Sequence, residues 1–86
     1  MSAQFDAEHV PPGSHVDLYI SPNCPYCAAA IAHYESARTP FTVHDAQNDR
    51  AERTKMFGYS DGDPTVPVIV VDGAYLQSGW GKPPRG

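Results

Sequence analysis

The chain reads as an α/β domain of order β-α-β-α-β-β built on a four-stranded mixed sheet, and three observations predict it. His15 to Ile20 alternates polar and apolar residues, with β-branched and aromatic side chains, and runs into Ser21-Pro22-Asn23, the pattern of a strand ending in a turn. Asp49 with Glu52 three residues on is a capping-box start for a helix. Val66-Pro67-Val68-Ile69-Val70-Val71 is nearly all apolar, as expected of a strand buried on both faces, and Asp72-Gly73 then signals a hairpin.

The elements follow in order. Residues 1 to 13 are predicted to be a flexible leader ahead of a domain spanning residues 14 to 86, because Val10-Pro11-Pro12-Gly13 breaks regular structure and the apolar content looks too low to drive packing. After the first strand, Pro25 suits the first helical position, where no N–H is needed. The helix should run to about Arg38, with Cys27, Ile31 and Tyr34 on one face, and Thr39-Pro40 should end it. Phe41 to Asp45 reads as the second strand. A short helix over about residues 50 to 57 follows, with Gly58 as its stop. Tyr59 to Asp63 is a Gly- and Asp-rich loop, and Ala74 to Gln77 should return antiparallel beside the third strand. Ser78 to Gly86, with three glycines and two prolines, cannot be a helix.

Size and charge narrow the function. Eighty-six residues make one small domain with a modest core. A net charge of -4, with six scattered basic residues, gives no general pull towards phosphate backbones or anionic membranes, so neither nucleic acid nor membrane is expected as a partner. Met1 to Ser14 lacks the basic start and apolar stretch of a signal peptide, and no segment is long and apolar enough to span a bilayer. A cytoplasmic address is the default expectation. In a reducing compartment, a single Cys-x-x-Cys points to catalysis or metal binding sooner than to a structural staple.

Cys24-Pro25-Tyr26-Cys27 lies where the first strand hands over to the first helix. Cysteines three apart in a first helical turn face the same side, so their sulfurs can close a small disulfide ring with little backbone movement. The free N–H groups and dipole of a helix N-terminus favour a sulfur anion, and Cys24 holds that place. Cys27, one turn in on the apolar face, should be more buried, which suits a resolving thiol. Val66-Pro67 heads a central strand, an unusual place for proline. A cis bond there would leave the Val66 N–H and C=O free to pair with an extended substrate, although a trans proline at a strand start is the commoner arrangement.

Tyr19-Ile20-Ser21-Pro22-Asn23-Cys24-Pro25-Tyr26-Cys27, then Asp63-Pro64-Thr65-Val66-Pro67, then a hairpin, resembles a glutaredoxin of the thioredoxin superfamily over about residues 15 to 81. The resemblance implies a thioredoxin-like fold and a thiol–disulfide oxidoreductase that reduces glutathione mixed disulfides or protein disulfides. It implies that Cys24 is the nucleophile and Cys27 the resolving thiol, and that glutathione is the reducing co-substrate, with no metal. It also implies that Tyr26 lines the glutathione groove, that Pro67 is cis, and that Thr65 and Val66 hold the glutathione cysteine backbone. Ser78, Gly79 and Trp80 stand where the family grips the γ-glutamyl end.

The chain departs from the family pattern in three places. Ser21 replaces the usual lysine three residues before the first cysteine, and Gln77-Ser78-Gly79-Trp80 replaces a Gly-Gly pair followed by Asp. The family's last helix has no counterpart before Gly86, so the fold is expected to be truncated after the last hairpin, with one apolar sheet face to be covered by the leader, the tail or a second copy in a homodimer. Lys82 and Arg85 are candidate replacement partners for a carboxylate. Ser78-Gly79-Trp80 also resembles the Ser-Gly-Phe segment of redoxin-type electron donors to ribonucleotide reductase, which take electrons from thioredoxin reductase. A zinc or iron–sulfur module is a third alternative, since Cys-x-x-Cys is half a zinc site and four histidines are present. Trp80 is expected to wall the groove or to lie as a lid over the bare sheet. Tyr34, Phe41, Phe57 and Tyr75 should pack the core, and Asp61 to Asp63 should form a solvated loop.

Overall fold

In the computed structural model, which describes residues 5–86, β1 (Val16–Ile20), α1 (Pro25–Ser36), β2 (Phe41–Asp45), α2 (Arg50–Ser60), β3 (Val68–Val71) and β4 (Ala74–Ser78) follow in the expected order. The sheet order is β2-β1-β3-β4. β1 and β2 are parallel, as the crossover through α1 requires, while β3 runs antiparallel to both β1 and β4. The thiol-bearing turn therefore leaves a central strand, at the end of the sheet where β3 begins.

Alternation sorts the core into two layers. Val16, Leu18 and Ile20 of β1 join Ile69 and Val71 of β3 under Cys27, Ala30 and Tyr34 of α1. On the opposite face Tyr19, Val68 and Val70 meet Met56 of α2. All four residues of β3 are buried, as the apolar run predicted. Asp72 and Gly73 both take positive φ, the conformation that a two-residue turn of this hand needs.

Three expectations are corrected. α1 ends at Ser36 rather than Arg38, because Ala37 is the C-cap and Arg38 has already turned to a φ of 57°. α2 runs through Gly58 to Ser60. Asp61 stops it in the left-handed region at φ 56°, donating its N–H to Phe57 O, a conformation that aspartate tolerates better than most side chains. Tyr75 is exposed rather than in the core.

On the α1 side of the sheet, residues ahead of β1 complete the core. Residues 1–4 lie outside the described residues, but residues 5–13, expected to be too poor in apolar side chains to pack, are placed against α1 and β4. Ala7 is 3% exposed, and Phe5 and Val10 pack on the same cluster as Leu76 and Trp80. Two side chains of α1 hold this segment: Tyr34 donates its hydroxyl hydrogen to Ala7 O, and His33 Nε2 lies 2.9 Å from Glu8 O. A few well-placed apolar residues suffice when a preformed groove and two polar anchors orient them. Tyr34→Phe keeps the ring but strands the buried Ala7 carbonyl, so it should lower stability by about 1–3 kcal/mol, read as a fall in the urea midpoint with an unchanged slope.

A polar cluster fixes the start of α2. His44 Nε2 lies 2.9 Å from Asp17 Oδ1, its Nδ1 contacts Glu52 Oε2, and its ring stacks on Tyr19 at 4.5 Å. The neighbouring Arg53 donates from Nε to Ala46 O at 2.9 Å and from Nη2 to Gln47 O. The first turn of α2 is thus tied to the end of β2, close to the thiol turn.

Candidate functional site

Cys24 is the N-cap of α1. Its backbone is extended, at φ -99° and ψ 114°, and Pro25 follows inside the helix, where its missing N–H costs nothing. The Cys27 N–H donates to Cys24 Sγ at 3.2 Å, so the sulfur takes the position that a serine or aspartate oxygen takes in an ordinary cap. An anionic sulfur would accept that bond more strongly than a neutral one. Both cysteines are free thiols, Cys24 half-exposed and Cys27 buried. Burial, with a smaller contribution from the hydrogen bond to Cys24, pushes the Cys27 thiol up to about 12. One sulfur is presented to solvent and the other is held neutral behind it.

The Thr65-Val66-Pro67 segment closes the other side. The Val66–Pro67 peptide is cis, and the Val66 carbonyl oxygen lies 3.9 Å from Cys24 Sγ. Neither the N–H nor the C=O of Val66 has a backbone partner among the described residues. A short, strand-like edge without backbone partners therefore sits beside the thiol. Gly79 N–H donates to Pro67 O at 2.7 Å, which brings the end of β4 to the same place.

The sequence-derived residues do not all converge. Cys24, Cys27, Thr65, Val66, Pro67 and Gly79 cluster, and Tyr26 stands 37% exposed in the first turn of α1. The Ser78 hydroxyl is engaged with Tyr75 at 2.8 Å. Trp80 packs its ring on His33 and Tyr34, with centroids 5.3 and 5.6 Å apart. The ring thus lies against α1 and borders residues 6–8. Lys82 pairs with Asp6 at 3.1 Å, so its carboxylate partner is intramolecular.

Arg53 was not among the sequence candidates. It lines a cleft of about 220 Å³ together with Ser21, Gln47, Pro64 and Val66, reaching from the thiol turn to the Val66 edge. The readable signal was its position one helical turn before the buried Met56, which puts a cation at the sheet-facing side of α2. A larger hollow of about 340 Å³, between the leader and the α1–β2 turn, contains neither cysteine.

Among the described residues, no three His, Cys, Asp or Glu side chains are grouped as metal ligands. The histidines are occupied elsewhere: His9 with Asp6, His15 with Thr42, His33 with Glu8, and His44 with Asp17 and Glu52. Among the described residues, no second ligand pair stands beside Cys24 and Cys27.

The family model for glutaredoxin matches residues 16–76. The chain belongs to the glutaredoxin family. The match spans the thiol turn, the Thr65-Val66-Pro67 segment and most of the final hairpin, and it supports a thiol–disulfide oxidoreductase role for the site. Among solved structures, this glutaredoxin is similar to the thioredoxin-like protein BC3987, crystallised in mutant form, with a TM-score of 0.65 and 22% identity over 73% of this chain and 80% of that one. At that identity the likeness concerns the fold. No curated protein matches the sequence. Among the described residues no helix is long and apolar enough to cross a membrane.

Proposed function

We propose that this glutaredoxin reduces glutathione mixed disulfides, with glutathione as the reducing co-substrate, in a reducing compartment such as the cytoplasm. The observation that carries the reading is the juxtaposition of Cys24 Sγ with the unpaired Val66 edge. An extended peptide that pairs with Val66 by backbone hydrogen bonds would lay its own cysteine sulfur against Cys24.

The chemistry balances without a further oxidant. The Cys24 thiolate attacks the glutathione sulfur of the mixed disulfide, the old S–S bond breaks, and the substrate leaves as a thiolate that takes a proton from solvent. A second glutathione thiolate then attacks the glutathione sulfur on Cys24, releasing glutathione disulfide and restoring the Cys24 thiolate. Alternatively, Cys27 gives up its proton and attacks Cys24, releasing glutathione and leaving an intramolecular disulfide for later reduction.

Arg53 offers the cation that Ser21 does not. Held by two backbone acceptors, it lines the cleft beside Val66, where a carboxylate of the tripeptide can meet it. Arg53→Ala should raise KM for a glutathione mixed disulfide about tenfold with kcat little changed, the size expected for loss of one charge-assisted hydrogen bond. An unchanged KM would remove Arg53 from the binding site.

The direct test is steady-state reduction of a small glutathione mixed disulfide coupled to glutathione reductase, with thioredoxin reductase as a parallel electron source. Turnover through glutathione supports the reading. Turnover with thioredoxin reductase alone would favour the redoxin-type donor, a reading supported by Ser21 and by Trp80 lying over α1 instead of in the cleft.

A further inference from the structure

We infer that residues 80–86 form a strap that closes over the Thr65–Val66 edge and must swing clear before an extended disulfide substrate can pair there. The inference rests on the reading of that edge as the substrate edge. It concerns what else occupies it.

The strap is a closed loop with a fixed root. Trp80 N–H donates to Arg85 O at 2.8 Å and Arg85 N–H donates to Trp80 O at 2.9 Å. At the root, Gly79 is bonded to Pro67 O and the Trp80 ring is seated on His33 and Tyr34. On its outer turn, Lys82 is tied to Asp6 of the leader. The chain that leaves the Trp80–Arg85 bridge is therefore directed back towards the cleft.

Two glycines show how closely it fits. Gly79 has φ +91°, and a Cβ there would lie 2.8 Å from Arg85 N and 3.0 Å from Arg85 C and O, so a side chain at this position would push the returning arm away. Gly86 is the second. A Cβ on Gly86 would overlap the Val66 carbonyl oxygen and lie 2.7 Å from Thr65 Cγ2. That carbonyl is the one facing Cys24 Sγ. At Gly86 the strap thus lies against the acceptor that an incoming peptide needs, yet makes no backbone hydrogen bond to it. It covers the edge without satisfying it, which leaves the edge's pairing groups available once the strap lifts.

Such an arrangement selects among substrates. A small reagent that needs only the sulfur is indifferent to the strap, whereas a disulfide that must align along Val66 reacts only with the fraction of molecules whose strap is open. The test uses Cys27→Ser, in which attack of Cys24 on oxidised glutathione forms a stable mixed disulfide and releases one glutathione thiolate, followed by mass spectrometry. Adding Gly86→Val, whose side chain cannot share space with the Val66 carbonyl, should speed that reaction about fivefold while alkylation of Cys24 by iodoacetamide changes by less than about twofold. Nuclear Overhauser contacts between Gly86 Hα and the Thr65 methyl report the closed strap directly in the parent chain.

Equal glutathione rates with and without Gly86→Val, equal acceleration of both reagents, or absence of the Gly86–Thr65 contact would each overturn the inference. If iodoacetamide reacts but no glutathione mixed disulfide forms in any variant, the glutathione reading fails on its own. The strap is then decided by the Thr65 contact and by Val66 amide exchange, which Gly86→Val must accelerate for the inference to stand.

Discussion

Cys24→Ser is expected to bring turnover down to the uncatalysed background, a loss of at least about a thousandfold, while Cys27→Ser retains reduction of glutathione mixed disulfides. The asymmetry follows from position. Cys24 Sγ is half-exposed, caps a helix and accepts the Cys27 N–H, so its electron pair is available to a substrate lying along Val66. A serine oxygen would cap the helix equally well, so Cys24→Ser should fold with undiminished stability and fail only in chemistry. Cys27 is 2% exposed behind Cys24 and cannot meet an outside disulfide. Its removal leaves the first attack intact, and free glutathione can complete the cycle. Reduction of protein disulfides, which relies on an internal resolving thiol, should be lost in Cys27→Ser. The pair of variants is compared on both substrate classes with circular dichroism as the folding control. Retained turnover in a folded Cys24→Ser protein would sink the assignment.

The two thiols were legible in the sequence because every signal for them is local: strand alternation up to Ile20, a turn, proline in the first helical turn, and spacing of one turn between the sulfurs. The same holds for β3, whose apolar run and Asp72-Gly73 turn need no knowledge of neighbours. Where a partner distant in sequence decides, the reading loses its grip. Gly58 looked like a helix stop, but nothing crowds it, and the helix continues until Asp61 adopts the left-handed conformation that ends it. The leader looked too polar to pack, yet a few apolar residues and two backbone carbonyls find a groove whose other wall is built by Tyr34, His33 and Trp80. Trp80 reads slightly in favour of the groove wall, but its ring packs on His33 and Tyr34, side chains of a helix more than forty residues earlier that local sequence does not bring to it. Arg53 escaped notice because its relevance lies in proximity to Ser21 and Val66, residues 32 and 13 positions away in the chain, which only the folded sheet brings together.

Cys27 is expected to be alkylated at least about tenfold more slowly in the folded protein than in the unfolded chain at neutral pH, since a raised pKa leaves less of the reactive thiolate. The fold pushes this thiol up from the ordinary 9.0 to about 12, with burial the larger cause and the hydrogen bond to Cys24 second. The sign of the linked stability follows from the direction. A raised value means that the fold favours the protonated thiol, so Cys27 contributes its full stabilisation below pH 9.0 and loses it as pH climbs towards about 12. Unfolding midpoints in urea should therefore fall over that window in the parent and fall less in Cys27→Ala. The second cause has a catalytic consequence. Once Cys24 is tied into a mixed disulfide it no longer holds a thiol or thiolate against Cys27, and that part of the upward push disappears as the resolving attack becomes due. The pH profile of Cys27 alkylation in a protein carrying a Cys24–glutathione adduct, formed in the cold and read before resolution, should sit below that of the reduced parent but above 9.0. A profile unchanged by the adduct would show that burial alone holds the thiol neutral, and that the resolving step gains nothing from the loss of its neighbour.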